Sequence, residues 1–320
     1  MTQDLGADLA GVLSEHLGRP VTVSGLKRLA GGSSHETWGF DAMDASLEEI
    51  PLVLRREFHS GMLDTDVAAE FILLRTLFDA GVPVPEPWLF VTTDSALGTP
   101  FMVMERAAGT DLRKDLARPD CDRDLLALAT QAVEVIARIH AVPATTLNLD
   151  AQWGPAHEIG RWTAVIEAAK PDLDPLLATA LTWLGCHLPP AVAAVLVHAD
   201  FKANNLLISP EGRLTVIDWE LAHPGDPVED LAWTMLWRTQ WDVVGGLHTA
   251  EGYVAAYTSL TGRQVNSEVL RFWRVFSLVK LWAMFLQGMA TENVRPQLRM
   301  LGRATVWLAD QVATELLEDP

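Results

Sequence analysis

The sequence predicts an α+β protein of two lobes: a small lobe of five strands with one helix, then a larger and mostly helical lobe. Three observations predict it. Short apolar-rich runs alternate with turn residues over the first hundred positions; beyond Gly109 the apolar residues recur at helical spacing; and one β-rich island, VLVHADFKANNLLISPEGRLTVIDWE, interrupts those helices. A length of 320 residues suits two cores better than one or three. The change of pattern near Glu105–Gly109 places the boundary between residues 1–105 and 106–320.

The elements follow in order. Val21–Leu29, Thr37–Asp41 and Leu52–Glu57 read as strands. Asp64–Ala80 carries apolar residues at helical spacing, with Asp64 as the expected cap and Gly81 and Pro83 as the stop. Leu89–Thr93 and Phe101–Glu105 read as two more strands around Gly98-Thr99-Pro100. Helices are expected at Arg123–His140, Arg161–Ala169, Asp174–His187, Val228–Trp241, near Thr249–Leu260, at Ser267–Ala290 and at Pro296–Leu317. A sheet-based body beside a helix-based one leads us to expect a cleft, a common setting for a small-molecule site.

Composition narrows the function. Lys and Arg number 24 and Asp and Glu 42, a formal charge of −18, which argues against nucleic-acid or anionic-membrane partners because both need a basic face. Cys121 and Cys186 are too few for a disulfide framework and form no CxxC pair, so a reducing cytoplasmic setting is expected. The start, MTQDLGADLAGVLSEHLG, lacks the basic and apolar regions of a signal peptide. The most apolar stretch, 271–287, is interrupted by Arg271, Arg274 and Lys280, so it reads as a buried helix rather than a membrane span.

The β-rich island carries the chemistry. Leu206–Ser209 and Arg213–Ile217 are short strands around Pro210-Glu211-Gly212. A two-residue Glu211-Gly212 turn sets Asn205 opposite Asp218 at the open end of the hairpin, their Cβ atoms about 4.5–5.5 Å apart. An amide oxygen beside a carboxylate suits a hard cation such as Mg²⁺, which takes few protein ligands and leaves positions for phosphate oxygens. Asp200, just before the hairpin, is placed to orient a hydroxyl for in-line attack on a phosphoryl group, and Lys202 to neutralise charge on the group transferred. Asp and Asn before a strand also serve as turn residues. The coincidence of H-x-D-x-x-x-x-N, the hairpin and the following Asp218 outweighs that simpler role.

HADFKANN matches the catalytic-loop pattern of the protein-kinase-like fold, with IDWE where that fold has its DFG Asp. More closely, VHADFKANNLL…VIDWELAHPGDPVEDLAW resembles the aminoglycoside phosphotransferase family, and within it the kinase-like domains fused to some acyl-CoA dehydrogenases. The likeness runs through most of the chain, with a highly specific motif block and a weak match over the last seventy residues. It implies a bilobal kinase-like fold, with residues 1–105 as nucleotide-binding lobe and 106–320 as catalytic and substrate-binding lobe. It also implies ATP as phosphoryl donor, with GTP admissible, and Mg²⁺ held by Asn205 and Asp218. Asp200 and Lys202 take the catalytic positions. The strand Leu52-Val53-Leu54-Arg55 resembles the one that presents a phosphate-binding Lys; here the position is Arg55, a planar fork in place of a compact ammonium. Glu70 matches the acidic partner of that cation. Gly31, Gly32, Ser33 and Ser34 resemble the loop that covers the phosphates, and Met104 and Glu105, with Arg106, the linker whose backbone meets adenine.

Other residues read as structural: Asp226 as a helix cap that braces the loop, His198 and His140 as satisfied histidines, and Trp233, Trp237 and Trp241 as a core stripe. Asp226 follows Asp218 by only eight positions, with no A-P-E motif, so the long segment with which a protein kinase holds a peptide is absent. A small-molecule hydroxyl is the expected acceptor: an aminoglycoside-like compound or another metabolite alcohol, with a hydroxyacyl-CoA or a macrolide as alternatives. Two readings of a different class are a metal-dependent hydrolase built on His198, Asp200, Asp218 and His223, and a nucleotide-binding pseudokinase suggested by Arg55.

Overall fold

The structure, a computed structural model, describes residues 2–29, 35–44, 49–57, 66–92, 97–144, 153–169, 172–237, 249–290 and 304–317. The chain divides into two compact units: Met1–Cys121 with Thr145–Asn148 and Asn204–Leu221, and Asp122–Ala144 with Leu149–Ala203 and Ala222–Pro320. The hairpin that bears Asn205 and Asp218 thus belongs to the first unit, and the loop that bears Asp200 to the second.

The first unit is built on an antiparallel sheet of β1 (Thr22–Arg28), β2 (His35–Met43), β3 (Glu49–Glu57), β4 (Pro87–Val91) and β5 (Phe101–Glu105), in the order β1-β2-β3-β5-β4. These are the five strands expected from the sequence. A helix that the sequence reading did not anticipate, α1 (Thr2–Leu17), adds to this sheet. Its Leu5, Leu9 and Leu13 recur every fourth residue and join a core with Phe40, Leu52, Leu54, Phe101 and Val103. Each such leucine contributes roughly 1.5–3 kcal/mol on burial. The following helix, α2 (Val67–Asp79), is capped by Asp66, whose carboxylate accepts the Ala68 N–H at 2.8 Å; the expected cap, Asp64, lies outside the described residues.

The hairpin differs from expectation in register. Between β8 (Leu206–Ile208) and β9 (Leu214–Val216), Leu206 pairs with Val216 and Ile208 with Leu214. The connection is therefore a three-residue loop, Pro210-Glu211-Gly212, closed by the Ser209 N–H on the Arg213 carbonyl at 2.9 Å. Gly212 supplies the left-handed residue at φ +81°, and the Ser209 hydroxyl donates to the Glu211 carboxylate. Ile217, not Asp218, lies across from Asn205, its N–H bonded to the Asn205 carbonyl at 3.0 Å. A slip of one residue turns a strand side chain to the opposite face. Asp218 escapes that outcome because it leaves the extended conformation, at φ +68°. For a non-glycine residue this costs about 1 kcal/mol.

A short strand, β6 (Thr110–Asp111), flanks β8 and leads into α3 (Leu112–Leu116). Gly109, at φ +118°, enters this seam so closely that an added Cβ would collide with the Ile208 carbonyl.

The second unit is helical: α4 (Leu125–Ile139), α5 (Pro155–Ala168), α6 (Pro175–Cys186), α7 (Pro227–Met235), α8 (Ala250–Thr261), α9 (Ser267–Ala290) and α10 (Ala304–Leu317). The long α9 brings Phe272, Trp273, Phe276 and Lys280 into its core, against α5, α7 and α10. α7 ends at Met235, short of the expected Trp241, which lies outside the described residues together with 296–303. The sequence reading did not anticipate the antiparallel pair of β7 (Val195–Val197) with β10 (His223–Gly225), which frames the catalytic-loop motif. Among the described residues, no helix is long and apolar enough to cross a membrane.

Candidate functional site

The predicted site residues fall into two groups, one in each unit. In the first unit a cavity of about 470 Å³ is lined by Arg55, Glu70, Met104, Glu105, Asn205 and Asp218, together with further polar and apolar neighbours. Arg55 sits in mid-sheet on β3, between Thr37 of β2 and Met102 of β5. Its guanidinium is buried, 3.0 Å from the Glu70 carboxylate and 4.0 Å from that of Glu220. Glu70 is in the first turn of α2, which turns it onto the sheet rather than into solvent. Burial pushes its carboxyl above the ordinary range and the Glu220 charge adds to this, while Arg55 opposes both. Only one of its oxygens is engaged: Oε2 has no hydrogen-bond partner among the described residues.

Asn205 ends the short 3₁₀ turn Ala203–Asn205 and is buried; Asp218 is partly exposed beyond β9. The two side chains border the same cavity despite the register shift. An amide oxygen and a carboxylate are hard donors, and two such ligands fit Mg²⁺, which keeps its remaining positions for water and phosphate. In the linker stretch the Glu105 N–H is taken up by the Glu86 carbonyl at 2.8 Å and the Arg106 N–H by the Pro51 carbonyl at 3.0 Å. Gly31, Gly32, Ser33 and Ser34, assigned to the phosphate-covering loop, lie outside the described residues.

The second unit holds the His198–Lys202 loop, and its organiser is a residue the sequence reading missed. Asp230 of α7 is fully buried and accepts the backbone N–H groups of His198 and Ala199 at 2.8 and 2.7 Å. It also meets His140 Nε2 at 3.1 Å, while His140 Nδ1 meets the Tyr257 hydroxyl at 2.8 Å. An imidazole protonated at Nε2 satisfies both contacts. Burial alone raises the Asp230 carboxyl, but the His140 hydrogen bond and charge, with those of the His198 region, hold it below the ordinary Asp range. His198 is itself buried and accepts the Asp200 N–H at Nδ1, 3.2 Å away, so its role is structural.

The Asp200 carboxylate takes the Lys202 ammonium at 2.7 and 2.8 Å and the Trp233 indole N–H at 2.9 Å. Asp226 caps α7 through the Val228 N–H and accepts the Trp273 indole N–H; burial raises its carboxyl. Among the described residues, Glu158, His223 and Glu229 bring ligand atoms within 4.8 Å of one another. Arg161 and Lys280 bring positive charge to this cluster. Arg161 lies 3.4 Å from Glu158, Lys280 lies 3.6 Å from Glu229, and His223 lies 3.2 Å from Glu229. Burial raises the Glu158 carboxyl, but these charges hold it below the ordinary Glu range. Glu158, Glu229, Asp230 and Lys280 had a signal in the sequence: each is a charged residue within a helical run of otherwise core-like spacing.

Comparison with known proteins agrees with this architecture. The sequence model described as "Phosphotransferase enzyme family" matches residues 25–273. Acyl-CoA dehydrogenase family member 10 of Mus musculus is 30% identical over 311 residues, 90% of this chain but 28% of that protein. The chain therefore spans little more than a quarter of that relative's length. Among solved structures, a Ralstonia eutropha JMP134 protein provisionally described as an aminoglycoside phosphotransferase superposes with a TM-score of 0.78 at 20% identity, over 98% of both chains. The spectinomycin phosphotransferase APH(9)-Ia, determined with ADP and spectinomycin, gives 0.63 at 15% identity, over 97% of this chain and 98% of its own. The fold is the kinase-like fold of these phosphotransferases. The chain belongs to the phosphotransferase enzyme family, and is an enzyme of that class.

Proposed function

We propose that the chain transfers the γ-phosphoryl group of ATP to a hydroxyl of a small molecule. The observation that carries this reading is the first-unit cavity, bordered at once by a buried cation–carboxylate pair and by the Asn205–Asp218 oxygen set. Arg55, held by Glu70, is the group for the α/β end of the triphosphate, and its planar fork can grip two phosphate oxygens at once. Asn205 and Asp218 would hold Mg²⁺, which when bound supplies charge neutralisation at the phosphates. Asp200 orients the acceptor hydroxyl and takes its proton, a role worth roughly 10²–10⁴-fold in rate. Lys202, paired with Asp200, is the cation for the transferred group.

The acceptor is a small molecule because Asp218 and Asp226 are too close in sequence to hold a peptide-docking segment. The spectinomycin bound to the APH(9)-Ia relative supports an aminoglycoside-like alcohol, and the acyl-CoA dehydrogenase relatives support a hydroxyacyl-CoA.

The test is ATP consumption by the full chain with Mg²⁺, across aminoglycosides, amino alcohols, macrolides and hydroxyacyl-CoAs. Turnover is expected with at least one alcohol, and Asp200→Ala is expected to lose it, by a factor of about 10² or more, while ATP still binds. A variant with normal turnover would remove Asp200 from the chemistry; nucleotide binding with no acceptor at all would favour a pseudokinase.

A further inference from the structure

The Asp200 side chain is held by more than its own loop. Trp233, on α7 and only 1% exposed, places its indole N–H 2.9 Å from Asp200 Oδ1. The other face of this arrangement is Lys280 of α9, also 1% exposed, whose ammonium lies 4.7 Å from the Trp233 ring centroid. The same ammonium donates to the Ala199 carbonyl at 2.6 Å. Ala199 is a non-glycine residue at φ +60°, and its carbonyl belongs to the peptide that leads into Asp200. One buried cation thus fixes the backbone before Asp200 and the ring that donates to its carboxylate. Lys202 sits on the solvent side, 5.9 and 5.6 Å from the Trp233 and Trp237 rings. A buried indole N–H needs an acceptor, and here that acceptor is the carboxylate of Asp200 itself.

We propose that Trp233 is a positioning residue, which fixes the Asp200 carboxylate through its indole N–H and is itself held by the buried Lys280 ammonium. The proposal rests on the phosphotransferase role given to Asp200 above. A carboxylate left with the flexible Lys202 ammonium but without the rigid indole donor spends less time aimed at the acceptor hydroxyl, so loss of the donor lowers the chemical step and not substrate binding. Trp233→Phe keeps an aromatic ring for Lys280 and removes the donor, together with part of the buried ring volume, which the melting temperature reads separately.

Two measurements on the full chain decide the matter. In the indole N–H region of a ¹H–¹⁵N spectrum, the signal lost in Trp233→Phe is that of Trp233. In Asp200→Asn this signal is expected to move upfield, because the charged acceptor has become neutral. In steady-state assays, kcat of Trp233→Phe is expected to fall about tenfold, part of what a positioned base contributes, with both KM values unchanged. A merely structural tryptophan would lower the melting temperature and leave kcat alone. An indole signal indifferent to Asp200→Asn, or a folded Trp233→Phe with wild-type kcat, overturns the positioning role and leaves the phosphotransferase reading standing. A wild-type chain that turns over no acceptor, with the indole signal still following Asp200, overturns the phosphotransferase reading and the catalytic part of this one with it.

Discussion

Two buried carboxylates, one in each unit, are treated in opposite ways. Asp230 has both oxygens engaged by two backbone N–H groups and an imidazole, and is held below the ordinary Asp range. Glu70 meets one guanidinium, leaves Oε2 without a hydrogen-bond partner among the described residues, and is held above the Glu range by burial. Asp230 lies in the core behind a loop; Glu70 borders a cavity. A carboxylate with both oxygens tied to the loop backbone or to His140 is a brace. An under-satisfied one beside a buried cation keeps bonding capacity in reserve, here on the wall of a cavity.

The comparison can be broken by removing the brace. Asp230→Ala leaves two buried N–H groups and His140 without their acceptor, and is expected to cost roughly 3–5 kcal/mol, as breaking buried charged networks does. Thermal or denaturant unfolding reads this, and a loss below about 1 kcal/mol would end the claim that Asp230 organises the loop. Arg55→Met should cost less, about 1–3 kcal/mol, since Glu70 is already inclined to take a proton and become neutral. The same variant should weaken nucleotide binding, checked by titration calorimetry with ATP and Mg²⁺.

The smallest effect is in the pH dependence. Glu70 holds its proton more tightly in the folded chain, so its contribution to stability falls as pH rises from about 4.3 through its raised folded value. Asp230 has the reverse sign: its contribution is complete above about pH 3.9 and is lost as pH falls through its depressed folded value. Melting profiles across pH should therefore lose slope only in the upper window for Glu70→Gln and only in the acid window for Asp230→Asn. If both variants flatten the same window, the contrast between the two sites fails.

Much of this was legible in the sequence, and what was not has definite causes. The five strands, their order of appearance and Phe101–Glu105 as a strand follow from alternation and turn residues. The helix α1 is weakly marked in the sequence because Gly6 and Gly11 interrupt the apolar spacing of Leu5, Leu9 and Leu13. The hairpin register failed by one residue because Pro210-Glu211-Gly212 admits either a two- or a three-residue loop; Gly212 in the left-handed region and the Ser209 hydroxyl decide for the longer one. Asp230 and Lys280 escaped for another reason: both serve the His198–Lys202 loop from helices 30 or more positions downstream, through partners that no spacing rule connects.

The contact of Gly109 with the Ile208 carbonyl has a bearing on how freely this chain can vary. The segment that follows the fifth strand and the hairpin that carries the proposed cation ligands are zipped together at a point where there is no room for even a methyl group. Alanine there would have to pry β6 from β8, so the hairpin would lose an edge partner just where Asn205 and Asp218 depend on a fixed backbone. At this one hydrogen-sized position the backbone leaves no choice of side chain.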